Sequence, residues 1–132
     1  MAWFDIILHI VLEGDSLAKS MKQLQEEVDA YIGQYKEGYF SPLTMLANLT
    51  EELGELSREI NHYYGEKPKK SPGNDIEIKE ELGDMLFVLI CFANSLQIDL
   101  EEAHGLVMNK FRTRDLNRWT KIDEREGEQQ NG

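Results

Sequence analysis

The sequence predicts an all-α fold, a bundle of four main helices. Three observations carry this. Apolar residues recur at alternating intervals of three and four along successive stretches, the spacing that lines one face of a helix. Between the stretches stand glycine, proline and capping residues, which punctuate helices. Residues 85–93 form a run that is apolar on every side, as a helix covered on all faces requires.

The first helix begins at Met21 and carries Met21, Leu24, Val28, Tyr31 or Ile32, and Tyr35 on its apolar stripe, with Gly38 as its stop. Ser41-Pro42 opens the second, serine as cap and proline at the first helical position. Its stripe of Leu46, Leu49, Leu53, Leu56, Ile60 and Tyr63 or Tyr64 is expected to be buried. A polar line of Asn48, Glu52, Glu55 and Glu59 runs alongside it. Residues 65–74, with two prolines, two glycines and three lysines, form a loop. The third helix spans about 75–96 and is expected to be the central, most buried one. Ile98-Asp99 makes a short turn, with Asp99 a cap for the fourth helix at about 100–113. Short connections make sequential helices antiparallel neighbours.

At 132 residues the chain is one domain, long enough to bury a core. Charged residues make up 30% and hydrophobic ones 41%, the balance of a soluble globular protein. A net charge of -11 makes nucleic acid and anionic membranes poor partners. It leaves room for a phosphate substrate, because bound divalent cations present a locally positive field. The single cysteine, Cys91, sits in the most apolar run and reads as a small core residue. It predicts no disulfide and a reducing, cytoplasmic compartment. Residues 3–12 are apolar, yet they contain Asp5 and His9, lack a basic leader and fall short of about 18 apolar residues. They therefore predict neither a membrane span nor a signal peptide. Residues 1–20 are an extension outside the regular pattern, which makes Met21 a candidate natural start. Residues 120–132 are a polar tail expected to be disordered.

The chemistry is concentrated in a phrase that occurs twice. Residues 51–56 read Glu51-Glu52-Leu53-Gly54-Glu55-Leu56, and residues 80–85 read Glu80-Glu81-Leu82-Gly83-Asp84-Met85. Each copy sets two carboxylates three apart, Glu52/Glu55 and Glu81/Asp84, on one helix face. Packed together at about 4 Å, each like-charged pair repels by roughly 4 kcal/mol near a protein surface. A cluster of this kind needs a cation. Four carboxylates balance two Mg²⁺ ions, with Mn²⁺ as a substitute, and hard cations of this type bridge to substrate phosphates. Gly54 costs about 1 kcal/mol of helix stability, as expected where something must approach closely. Asp84 lies about 14 residues before the turn at Ile98, and Arg114 about 16 after it, so rise per residue predicts one level for both. Lys110 and Arg114 on the fourth helix are then expected to reach the carboxylate layer and share a site with the metal.

In this arrangement the sequence resembles the MazG-type family of all-α nucleoside triphosphate pyrophosphohydrolases. Glu51-Glu52-Leu53-Gly54-Glu55 matches that family's Glu-Glu-x-x-Glu, and Glu81-Leu82-Gly83-Asp84 its Glu-x-x-Asp. Asn109-Lys110-Phe111-Arg112-Thr113-Arg114 is similar to its Lys-x-x-x-Arg element. The resemblance covers residues 21–119. It implies Mg²⁺-dependent cleavage of a nucleoside triphosphate to the monophosphate and pyrophosphate, as nucleotide-pool sanitation, by a homo-oligomer, dimer or tetramer. It implies Glu52, Glu55, Glu81 and Asp84 as metal ligands, with water attacking the α-phosphorus. Glu51, or one of the ligands, would orient that water. Lys110 and Arg114, beside Asn109, would hold the triphosphate tail. Tyr39 and Phe40 are candidates to stack on the base, against the alternative that they are core.

Two rival readings come from other classes. Glu59-x-x-His62 and Glu101-x-x-His104 match the Glu-x-x-His motif of di-iron carboxylate bundles. The expected topology puts His62 and His104 at opposite ends of the bundle, where one di-iron centre cannot use both. A non-enzymatic helical interaction module would suit the apolar strip at residues 3–12 but leaves the repeated acidic phrase unexplained.

Overall fold

A capping box opens the first helix. The Ser20 hydroxyl accepts the Gln23 backbone N–H at 3.1 Å, and the Gln23 side chain accepts the Ser20 N–H at 2.7 Å. The computed structural model describes residues 18–71 and 75–122. It has four helices and, among the described residues, no strand: α1, Met21–Ile32; α2, Pro42–Tyr64; α3, Ile76–Ser95; and α4, Leu100–Arg114. The all-α expectation holds. The strip at residues 3–12 and the tail from residue 123 lie outside the described residues. Lys19 pairs with Glu27 at 2.6 Å, so residues before Met21 contact α1 as well as capping it.

α1 is shorter than its apolar spacing predicts. It stops at Ile32, where the Gly33 N–H closes on the Asp29 carbonyl at 2.9 Å. The Tyr35 N–H then bonds the Ile32 carbonyl at 3.1 Å, a tighter turn than a helix makes. Gly38, at φ +61°, takes the left-handed conformation that turns the chain toward Ser41. A side chain there would cost about 1–2 kcal/mol.

The limits of α2 agree with the sequence reading. The Ser41 hydroxyl accepts the Thr44 N–H at 3.4 Å, and Pro42 fills the first turn, where its missing donor has no helical partner anyway. Gly65 ends the helix with its N–H on the Asn61 carbonyl at 2.9 Å. α3 and α4 also begin and end within a residue or two of expectation. Gln97, at φ 57°, makes the turn between them.

α2 packs lengthwise on α3, and α1 packs on α3. Val28, Met45, Ile90 and Cys91 form the buried core, with Met21, Leu24, Ile32 and Phe92 against it. Asn94 pins α1 to α3. Its amide N–H groups donate to the Gln25 carbonyl and the Tyr39 hydroxyl, both at 2.9 Å, and its oxygen accepts from the Gln25 side chain at 2.9 Å. The Tyr39 hydroxyl donates onward to Asp29 at 2.9 Å.

The buried face of α2 is not the expected one. Met45, Glu59 and Tyr63 are buried and Leu49, Glu52 and Leu56 half-buried, whereas Leu46, Leu53 and Ile60 stay 50%, 54% and 41% exposed. The helix is rotated so that its polar line, rather than the outer edge of its leucine stripe, meets α3. α3 is likewise less covered than its composition predicts. Ile78, Ile90, Cys91 and Ala93 are buried, but Leu82, Leu86, Phe87 and Leu89 are exposed.

The chain divides into two units after Leu100. In the second unit α4 carries no buried residue. Asp115 closes it, accepting from Arg114 at 3.1 and 3.3 Å, with Arg118 at 3.6 Å.

Candidate metal centre

The rotation of α2 brings the two acidic phrases together. On each helix the carboxylates repeat at three or four residues, so Glu52, Glu55 and Glu59 form one line and Glu77, Glu81 and Asp84 another. Lys70 bridges Glu59 to Glu77, and Glu52 lies close to Asp84, so α2 and α3 run antiparallel with their acidic lines facing each other. Oxygen atoms of Glu52, Glu81 and Asp84 all lie within 4.8 Å of one another. Among the described residues this is the one such group of three.

The electrostatics show the strain of that proximity. The Glu52 carboxyl is pushed above the ordinary carboxylate value, first by loss of solvent between the helices, then by the charges of Asp84, Glu55 and Glu51. Glu81 is raised in the same way, by desolvation and then by Glu55, Asp84, Glu52 and Glu59. Among the described residues no lysine or arginine pairs with Glu52, Glu81 or Asp84. Three convergent oxygen donors without a counter-cation fit a hard divalent ion such as Mg²⁺.

Glu55 stands apart from the three. Its carboxylate accepts from Arg58 at 3.0 Å, one turn further along α2, although its charge still acts on Glu52 and Glu81. Glu51 is exposed beside Glu52. At Gly54 an added Cβ would meet no atom within 4 Å, and the same holds for Gly83. The close approach expected at Gly54 is therefore not made by the chain's own described atoms.

An aromatic cavity of about 400 Å³ adjoins this centre. Tyr31, Tyr35, Tyr39, Phe40 and Phe87 line it, together with Asn48 and Val88. Asn48 is one helical turn before Glu52, and Val88 one turn after Asp84. Phe40 is 57% exposed at this cavity, whereas the Tyr39 hydroxyl is held by Asp29 and Asn94. Of the two aromatic candidates, Phe40 is the more exposed.

Asn109, Lys110 and Arg114 belong to the second unit and are all exposed. The Lys110 ammonium and the Arg114 guanidinium lie 5.4 and 5.1 Å from the Phe111 ring centre. Arg114 is already paired with Asp115. His104 is exposed in that unit, while His62 lies 3.7 Å from Glu59 on α2.

One group was missed by sequence reasoning. Lys70, read only as part of a loop, reaches back to Glu59 at 2.8 Å and to Glu77 at 3.2 Å. The available signal was Glu77, four residues before Glu81, which extends the acidic line as Glu59 does on α2.

Residues 40–119 match the MazG nucleotide pyrophosphohydrolase domain. The chain belongs to this family. The YpjD protein of Bacillus subtilis (strain 168) is 67% identical over 106 residues, 80% of this chain and 96% of that protein. A crystal structure of Bacillus subtilis YpjD superposes with a TM-score of 0.68 at 67% identity, covering 72% of this chain and 97% of that one. The Bacillus-conserved MazG protein, a nucleotide pyrophosphohydrolase, has a TM-score of 0.64 at 61% identity over 81% of this chain and 96% of its own. The fold is thus MazG-type, and this MazG protein is a hydrolase acting on phosphorus anhydrides. The acidic phrases and the Lys110–Arg114 segment all fall inside the matched region.

Proposed function

We propose that this MazG protein is a Mg²⁺-dependent nucleoside triphosphate pyrophosphohydrolase that releases the monophosphate and pyrophosphate, with nucleotide-pool sanitation as its role. The observation that carries the reading is the convergence of Glu52, Glu81 and Asp84 within 4.8 Å, one turn from an aromatic cavity. That pairing suits a ligand with a charged phosphate end and a flat base. Glu52, Glu81 and Asp84 hold the cation, with Glu55 joining them when it releases Arg58. A bound divalent ion supplies Lewis acidity toward phosphoryl oxygens and lowers the pKa of water. Glu51, or a ligand carboxylate, accepts a hydrogen bond from the attacking water and so orients it toward the α-phosphorus. Lys110 and Arg114, with Asn109, bind the β- and γ-phosphates, the guanidinium in a two-pronged contact. Phe40 stacks on the base at the rim of the cavity.

The same reading includes a homo-oligomer. Leu46, Leu53 and Ile60 recur at seven-residue spacing, and Leu82, Leu86 and Leu89 lie on the matching side of the antiparallel partner helix. A second copy covering this strip would bury what one chain leaves exposed. A cytoplasmic location belongs to the same reading; no single helix among the described residues is long and apolar enough to cross a membrane.

Hydrolysis in ¹⁸O-labelled water tests the reaction directly, using a panel of canonical and modified triphosphates with Mg²⁺. Label in the monophosphate, with pyrophosphate as the other product, is expected. Label in pyrophosphate alone, or a nucleoside diphosphate product, would refute attack at the α-phosphorus.

A further inference from the structure

The facing acidic lines of α2 and α3 have three levels. Glu52 faces Asp84 at the first, and Glu55 lies near Glu81 at the second. Glu59 and Glu77 make the third. The spacing is symmetric, since Glu59 is seven residues beyond Glu52 and Glu77 seven before Asp84. The first two levels carry the candidate metal ligands and, apart from the Glu55–Arg58 pair, have no basic partner among the described residues. The third is filled from within the chain. The Lys70 ammonium lies 2.8 Å from Glu59 and 3.2 Å from Glu77, and Glu59 is only 6% exposed.

The placing of Lys70 is reinforced on every side. Its backbone N–H and that of Lys69 donate to the His62 carbonyl at 3.0 and 2.8 Å, folding the loop back along α2. The Tyr63 hydroxyl donates to the second Glu77 oxygen, and the Lys70 ammonium lies 5.6 Å from the Tyr63 ring centre. His62 Nδ1, buried and without a hydrogen-bond partner among the described residues, lies 3.7 Å from the other Glu59 oxygen. The third level thus has two carboxylates and a nearby imidazole, with the Lys70 ammonium between the carboxylates.

We propose that Lys70 is a built-in counter-cation that confines divalent ions to the first two levels. It acts as a positioning residue through Glu59 and Glu77, and the inference rests on the metal-site reading given above. Neutralising Lys70 leaves the buried Glu59 uncompensated beside Glu77 and a nitrogen donor. A further divalent ion then takes the ammonium's place.

The test counts Mn²⁺ bound per chain, from the electron paramagnetic resonance of the free ion, in wild type, K70Q and K70R. K70Q keeps donors for both carboxylates but removes the charge. It is expected to bind one more Mn²⁺ per chain than wild type, whereas K70R keeps the wild-type count and turnover. A purely structural staple would lower the melting temperature of K70Q and leave the Mn²⁺ count unchanged, which overturns the proposal. Should K70Q fail to fold in chelator, the proposal requires Mn²⁺ to restore its circular dichroism where Na⁺ at equal ionic strength does not. Failure of that rescue also overturns it. Wild type that binds no Mn²⁺ refutes the metal-site reading itself, a result distinct from equal, non-zero counts in wild type and K70Q.

Discussion

Replacing Glu52 with glutamine should stabilise the metal-free protein and remove its response to metal. The oxygens of Glu52, Glu81 and Asp84 lie within 4.8 Å of one another, where two full charges at an effective dielectric near 20 repel by about 3 kcal/mol. The centre is only half-buried, and solvent screening reduces such a pair toward the ~1 kcal/mol scale of exposed charges. For a domain of this size, about 1 kcal/mol moves the melting temperature by roughly 3–5 °C. The sign follows from the raised carboxyl of Glu52. A carboxyl whose folded value lies above its unfolded one contributes stability below the unfolded value and loses it as pH rises through the folded one. At neutral pH the native Glu52 is therefore a liability without metal. In thermal scans at pH 7 with chelator, E52Q should melt above wild type, and the gap should close as the pH falls through the carboxylate range. Added Mg²⁺ should stabilise wild type by about 2.7 kcal/mol at a hundredfold excess over the dissociation constant, raising its midpoint, and leave E52Q unmoved. An E52Q that melts below wild type in chelator, or that keeps the full Mg²⁺ response, would refute the reasoning.

Three further outcomes are expected. Glu77 is held down to about 2, foremost by the hydrogen bond from Tyr63, so its stabilising effect is present above the ordinary carboxylate value and lost as pH falls toward 2. Urea midpoints of E77Q should accordingly fall less steeply than those of wild type over that acid range; parallel curves would count against the bond. L53E and L86E, which place charge on the exposed strip, should shift the protein to monomer in sedimentation at micromolar concentration while its helical signal persists; an unchanged sedimentation coefficient argues that the strip is not the interface. K110A and R114A should weaken triphosphate binding at least tenfold and monophosphate binding far less, read by calorimetry with Mg²⁺; equal losses for both would remove these residues from the phosphate tail.

Much of the architecture was legible because it is written locally. Ser41-Pro42 and Gly65 bound α2 through cap chemistry that involves neighbours in sequence, and the structure places both ends there. α1 was read too long because Tyr35 continues the apolar spacing, while Gly33 ends the helix through its own backbone bond. The buried face of α2 was misjudged for a different reason. Leu53 and Glu52 are adjacent on the helix, and periodicity identifies a seam without saying which flank meets the neighbouring helix. Of the four carboxylates in the repeated phrase, three converge in the structure, while Arg58, three residues from Glu55, pairs with the fourth in a way the motif does not encode. Lys70 was out of reach for local reasoning, because its role depends on a loop folding back over two helices. Lys110 and Arg114 carry a motif that sequence recognises, but their position relative to the carboxylates is a matter of how two units meet.

Cys91 gives this molecule an internal clock. The residue is 6% exposed, packs in the core with Val28, Met45 and Ile90, and also forms part of the wall of the aromatic cavity. Burial holds its pKa above that of a free thiol, so an alkylating reagent meets a reactive thiolate only when the surroundings part. The labelling rate therefore measures how often that wall opens, in a protein whose sequence has no other cysteine to blur the signal. An opening confined to the cavity proceeds with little dependence on denaturant, whereas one that requires the core to unfold accelerates steeply with it. The side chain that looked least eventful thus separates breathing of the cavity from loss of the fold.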